Sequence, residues 1–145
     1  MERLLQARGL TPYRRSQLPL SDGAHAQAVI VDTFGELASL YSVADVVVVG
    51  GAFAPLGGQN LFQPLAHGKP VFFGPHTHNF RDIAQLAKAA GVGFEVQTAE
   101  QLAEGVLRLL HDPKLREQIA QQASELIQKH QGAAQRCAEV VKKWL

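Results

Sequence analysis

The sequence predicts an α/β fold, a parallel sheet with helices on both faces, and two observations carry that reading. Short apolar, β-branched runs alternate with longer segments of helical periodicity, the pattern of strand–helix–strand crossovers. One run, Val46 to Val49, is apolar at every position between Asp45 and Gly50. Continuous runs of that kind mark strands buried on both faces of a parallel sheet.

The elements follow in order. Met1 to Arg8 reads as the last turns of an amphipathic helix, with Leu4 and Leu5 apolar and Gly9 as its stop. Pro12 to Gln17 is a short polar strand of weak pattern, and Ser21 to Gln27 is a loop by composition. Ala28 to Val31 is a second short strand, ending at Asp32. Thr33 and Glu36 stand in the T-x-x-E spacing of a capping box, ahead of Leu37, Leu40, Tyr41 and Ala44 at helical spacing. The strand Val46–Val49 leads into two glycine pairs, Gly50-Gly51 and Gly57-Gly58, with Pro55 between them. A short helix, Leu61 to Ala66, stops at Gly68, and Pro70 introduces a further buried strand, Val71 to Phe73. Asn79 is placed to cap a helix carrying Phe80, Ile83, Ala84, Ala87 and Ala90, closed by Gly91, before a last strand, Gly93 to Val96. The remainder is helical. Thr98 and Gln101 form a capping box, Asp112-Pro113 is an N-cap followed by proline at the first helical position, and Gly132 separates the final helix.

Composition narrows the function classes. At 145 residues the chain has the length of one domain, able to bury roughly two-thirds of its unfolded surface. A net charge of +1 gives no electrostatic footprint for nucleic acid. A single cysteine, Cys137, excludes an internal disulfide and fits a reducing compartment. With no apolar run approaching ~18 residues and no signal-peptide pattern, the expected compartment is the cytoplasm.

Chemistry gathers where strands end. In open α/β sheets, ligands bind at the carboxyl ends of the strands, and three loops lie there: Thr33-Phe34-Gly35-Glu36, Gly50 to Asn60, and Gly74 to Asn79. The glycine loop is neither G-x-x-x-x-G-K-[ST] nor G-x-G-x-x-G, so the P-loop and dinucleotide fingerprints both fail. Two glycine pairs read equally as tight turns or as a cradle for a phosphate, and Asn60 beside a helix start favours the cradle. For Thr33 and Glu36 the capping role outweighs direct catalysis. The pair His76-x-His78 lacks a further ligand at metal spacing, so a solvent-facing loop histidine comes first and a bond from His76 to a phosphate or sugar second. No Ser-His-Asp or Cys-His arrangement is visible, and no close pair of carboxylates.

These residues carry a resemblance. VDTFGELASLYSVADVVVVGGAFAPLGGQNLFQPLAHGKPVFFGPHTHNF, Val31 to Phe80, resembles the carboxyl-terminal half of the 3-deoxy-D-manno-octulosonic acid (Kdo) transferases. Their pattern is D-T-x-G-E-L, G-G-[SA]-F-x-x-x-G-G-H-N-x-x-E-P, G-[KV]-P-V and G-P-x-x-x-N-F. The resemblance implies one half of a glycosyltransferase-B fold, a Rossmann-like domain binding a CMP-activated sugar, CMP-Kdo, with no metal or other cofactor. It also implies a separate amino-terminal domain that takes the lipid A precursor and supplies the catalytic carboxylate, at the cytoplasmic face of the inner membrane. By the same analogy Gly50, Gly51, Gly57 and Gly58 shape the donor loop, Asn60 holds phosphate or sugar, and position 63 faces the ribose. The Thr33–Glu36 loop, Gly35 included, lies near the base or phosphate.

The chain departs from the family pattern at three points. Gln59 replaces a histidine, Gln63 replaces a glutamate before proline, and the acceptor domain is absent together with the first strand and its basic P-R-H-P turn. Residues 1–145 therefore read as a single donor-binding domain lacking its first strand, inactive alone. The alternatives are a non-catalytic nucleotide-sugar binding module, for which the two glutamines argue, and another glycosyltransferase-B enzyme such as a sugar-nucleotide epimerase.

Overall fold

The computed structural model describes residues 1–18, 26–130 and 132–144. The expected loop Ser21–Gln27 falls largely outside the described residues, as does His25. The chain divides into two compact units, Met1–Leu40 and Tyr41–Leu145.

In the first unit, helix α1 (Glu2–Gln6) ends ahead of Gly9, which takes φ +73, the left-handed conformation that ends a helix without a Cβ penalty. Strand β1 (Pro12–Arg14) pairs in parallel with β2 (Ala28–Ile30), Pro12 opposite Ala28 and Arg14 opposite Ile30. The expected strand Pro12–Gln17 is thus strand only to Arg14, and Arg15–Gln17 form a 3-10 turn. That turn is tied to the end of β2. Asp32 accepts hydrogen bonds from the Ser16 backbone N–H at 3.0 Å and the Ser16 hydroxyl at 2.7 Å. Arg14 pairs with Glu2 at 2.8 Å and reaches Asp32 at 3.8 Å. Helix α2 (Leu37–Val43) begins here and runs into the second unit.

The second unit is built on a parallel sheet in which β4 (Val71–Phe73) lies between β3 (Val47–Val49) and β5 (Gly93–Glu95). Its helices are α3 (Phe62–Ala66), α4 (Arg81–Ala89), α5 (Ala99–His111), α6 (Pro113–His130) and α7 (Ala133–Lys142). Every residue of β4 is buried, as its unbroken apolar run predicts. Successive side chains of a strand face opposite ways. A Cβ on Gly105 of α5 would collide with the Phe72 ring, and one on Gly93 would meet Ala87 of α4 and Phe73. Helix α5 therefore covers the Phe72 face and α4 the Phe73 face, the two-sided arrangement expected. Leu61, Leu65, Val92, Ile119 and Ala123 complete the core, each large apolar side chain contributing roughly 1.5–3 kcal/mol on burial.

Three expectations are corrected. Strand β3 is not buried on both faces: Val47 and Val49 are, but Val48 is 45% exposed. Among the described residues β3 pairs in this sheet only with β4, so Val48 belongs to an edge strand of it. Asn79 does not cap α4, whose N-cap is Phe80 with no side-chain bond. The Thr33–Glu36 capping box does not form. Among the described residues Thr33 Oγ1 has no hydrogen-bond partner, α2 starts only at Leu37, and Glu36 turns to Arg15 at 2.8 Å. A charged partner outcompetes the neutral backbone N–H that a box would offer. By contrast Gln101 N–H bonds Thr98 Oγ1 at 3.2 Å, and Leu115 N–H bonds Asp112 Oδ1 at 3.0 Å, as the spacing predicts.

The Asp32 contacts carry a pH dependence. The Ser16 hydroxyl, then the Ser16 backbone N–H, hold the Asp32 carboxyl below its ordinary value. A depressed folded value means that the stabilisation is complete above the unfolded carboxylate value of about 3.9 and is lost as pH falls through the folded one. The Ser16 amide resonance is expected to titrate with a midpoint below that ordinary value and to stop titrating there in Asp32→Asn. A midpoint at or above it would contradict the assignment.

Candidate functional site

The site is a backbone construction. Strand β3 ends in a 3-10 turn, Gly50–Ala52, and β4 ends at Gly74. Here the two chains touch: a Cβ on Gly74 would overlap the Ala52 carbonyl and lie 2.7 Å from Phe53 Cα. Only glycine permits that approach. The contact is secured by His76 N–H donating to Ala52 O at 3.0 Å.

Further along, Gly57 takes φ +91 and Gly58 φ +83, which non-glycine residues rarely adopt. The reversal delivers Gly57 O to the Asn79 N–H at 3.1 Å and Leu56 O to the Asn79 side-chain amide at 3.4 Å. Asn79 thus bridges the loops instead of capping a helix. A sequence signal for this existed in the G-P-x-x-x-N-F spacing, but its local reading as a cap was the wrong one.

The loop then offers its polar groups outward. Gln59 and Asn60 are exposed, and the Gln59 side chain lies over Gly51, where a Cβ would come within 3.0 Å of it. A Cβ on Gly50 would meet nothing within 4 Å, so that position faces open space. Asn60 Oδ1 accepts from Phe62 N–H at 2.8 Å, an Asx turn that starts α3 and leaves the Asn60 Nδ2 hydrogens as its donors. Gln63 is exposed in the first turn of α3. His76 is half-buried and His78 exposed. Because α3 has only five residues and its first N–H is already taken by Asn60, its dipole is a minor attraction for an anion.

Of the candidate residues, Gly50, Gly51, Gly57, Gly58, Gln59, Asn60, Gln63 and His76 belong to the second unit, on the two interlocked loops and the helix that follows. Thr33, Gly35 and Glu36 belong to the first. There Gly35 takes φ +85 and Phe34 is fully exposed, so the loop at the end of β2 presents an apolar ring to solvent. Arg15, which the sequence reading passed over, supplies a positive charge at this loop; the Arg14-Arg15 doublet in an otherwise weak strand was the available signal.

The fold is α/β, parallel strands with helices, and the candidate loops follow the carboxyl ends of strands, where open α/β sheets place their ligands. The family model for glycosyl transferases group 1 matches residues 25–126, and the chain belongs to that family. It is similar to the 3-deoxy-D-manno-octulosonic acid transferase of Bordetella pertussis, 41% identical over 97% of this chain and 33% of that one. The enzyme of the same name from Haemophilus influenzae is 34% identical over 83% of this chain and 29% of its own length. The crystal structure of the C-terminal CMP-Kdo binding domain of WaaA from Acinetobacter baumannii superposes with a TM-score of 0.78 at 31% identity, covering 87% of this chain and 65% of that one. The chain spans about a third of the length of the transferases it matches.

Gly57 tests the loop construction. In Gly57→Ala the added Cβ meets Asn79 and lies 2.8 Å from His78 Nε2, at a φ that alanine disfavours. The expected cost is about 1–3 kcal/mol in urea unfolding. Wild-type stability in this variant would mean that the loop does not hold this conformation.

Proposed function

We propose that this chain is the donor-binding half of a Kdo transferase, holding a CMP-linked sugar while a separate domain presents the acceptor. The observation that carries the reading is the match to the solved CMP-Kdo binding domain over 87% of the chain. On this reading the glycine turn at the end of β3 lies under the donor phosphate, where the absence of side chains lets backbone come close. The Asn60 Nδ2 hydrogens donate to phosphate or sugar. Gln63 bonds a ribose hydroxyl through its amide, neutral where a carboxylate would bring charge.

Transfer requires a base to take the acceptor hydroxyl's proton and positive surroundings for the departing phosphate. Glu36 is engaged by Arg15 at 2.8 Å, so neither requirement is met by a free group of this loop. The base is assigned to the acceptor domain, as is the lipid A precursor, and the intact enzyme to the cytoplasmic face of the inner membrane. The first strand of the donor domain is assigned to sequence ahead of residue 1. A second reading, a non-catalytic nucleotide-sugar module, is favoured specifically by Gln59 and Gln63. An in-frame acceptor domain in the DNA upstream of Met1 decides for the first.

The donor site is tested by residue-resolved NMR titration with CMP. Amides of Gly50 to Asn60 and of Thr33 to Glu36 should shift, Asn60→Ala should weaken binding about tenfold, and Gln63→Glu should tighten it. Equal shifts with AMP and UMP would reduce the site to a generic nucleotide site. No shift at millimolar CMP, or sugar transfer by residues 1–145 alone, would overturn the division of labour.

A further inference from the structure

A cavity lies away from the glycine loops, on the opposite side of the second unit's sheet from α4. It has a volume of about 210 Å³ and sits between the Phe72 face of the sheet and helices α5 and α6. Its floor is aromatic: the rings of Phe72 and Phe94 stack at 5.0 Å between centroids and 28° between planes. Leu115 and Ile119 of α6 form an apolar wall. Gly105, in the middle of α5, lets that helix pack directly on the Phe72 ring, where a Cβ would strike it. Glycine inside a helix costs about 1 kcal/mol relative to alanine.

The rim differs in chemistry from the floor. Arg108, Gln118 and Gln122 line it, and among the described residues none of the three side chains makes a hydrogen bond or ion pair. Gln118 and Gln122 are one helical turn apart on α6 and so share a face. Glu104, one turn before Arg108, does not pair with it, while nearby Lys88 and Glu95 neutralise each other at 2.6 Å. Arg108 is therefore an uncompensated cation beside an apolar, aromatic-floored slot. Small-molecule sites share this plan, an apolar lining with a few orienting polar groups. Size selects the ligand: the cavity exceeds the roughly 150 Å³ that holds a benzene and is smaller than the roughly 300 Å³ of drug-sized pockets.

We propose that this cavity binds a monocyclic aromatic carboxylate, its ring on the Phe72–Phe94 floor and its carboxylate on Arg108. Guanidinium and carboxylate make a two-pronged, charge-assisted pair, and the two glutamine amides complete the anion's donors. The site is independent of the CMP reading, since none of its residues belongs to the glycine loops.

Benzoate and benzyl alcohol serve as probes in NMR titrations of the intact chain. Benzoate up to about 20 mM, enough to occupy even a weak millimolar site, should shift the amides of Gly91, Phe94 and Gly105 and leave Gly50 to Asn60 unmoved. Arg108→Gln, an exposed substitution that leaves the core intact, should weaken benzoate binding about tenfold and leave benzyl alcohol unchanged. Absence of shifts, or an Arg108→Gln variant that binds benzoate as well as the wild type, would overturn the proposal. So would benzyl alcohol binding as tightly as benzoate, which would make the cavity an apolar void without selection for charge.

Discussion

The candidate site depends on one close approach, the backbone of Gly74 against that of Ala52 and Phe53. Nothing but glycine fits there, and the His76 N–H to Ala52 O bond locks the two chains once they meet. From that point both loops are committed. Gly57 and Gly58 reverse the first loop, Asn79 donates to the Gly57 and Leu56 carbonyls, and the chain emerges at Asn60 ready to start α3. A loop tied by backbone bonds to its neighbour loses little further entropy when it meets a ligand, which is what a binding loop requires. The polar groups that face outward, Gln59, Asn60 and Gln63, are then carried on a frame set by the sheet.

Much of this was legible in the sequence, and the reasons differ by element. Strand β4 was visible because all its positions are apolar and both of its neighbours are strands. The caps at Thr98 and Asp112 were visible because they are decided within three residues. The Thr33–Glu36 box has the same local spacing and failed, because Arg15 lies 21 residues away in sequence and claims the glutamate. Asn79 failed in the same manner, drawn to carbonyls of a loop more than twenty residues earlier. Local patterns carry local contacts; long-range competitors have no signature in them. Val48 is a different case. Its all-apolar run is the pattern of an interior strand, while among the described residues β3 pairs only with β4 in its sheet.

Family membership and site geometry bear on different questions. The group 1 glycosyl transferase match covers both units' loops and sets the class. The geometry separates residues that shape the loop from residues able to touch a ligand. Gly57, Gly74 and Asn79 shape it; Asn60 and Gln63 remain available. The two glutamines do not disturb the loop's construction, since Gln59 packs over Gly51 and Gln63 stands exposed on α3. Their effect would fall on charge at the site rather than on its shape.

The central claim is that the loops at the ends of β3 and β4 are one rigid body before any ligand arrives. Native-state amide hydrogen exchange at His76 and Asn79 tests it most directly. Locked loops should protect these two amides to within about tenfold of the β4 amides, because their opening then requires loss of the sheet edge. Exchange at both positions at the rate of an open surface loop, with β4 still protected, would contradict the account.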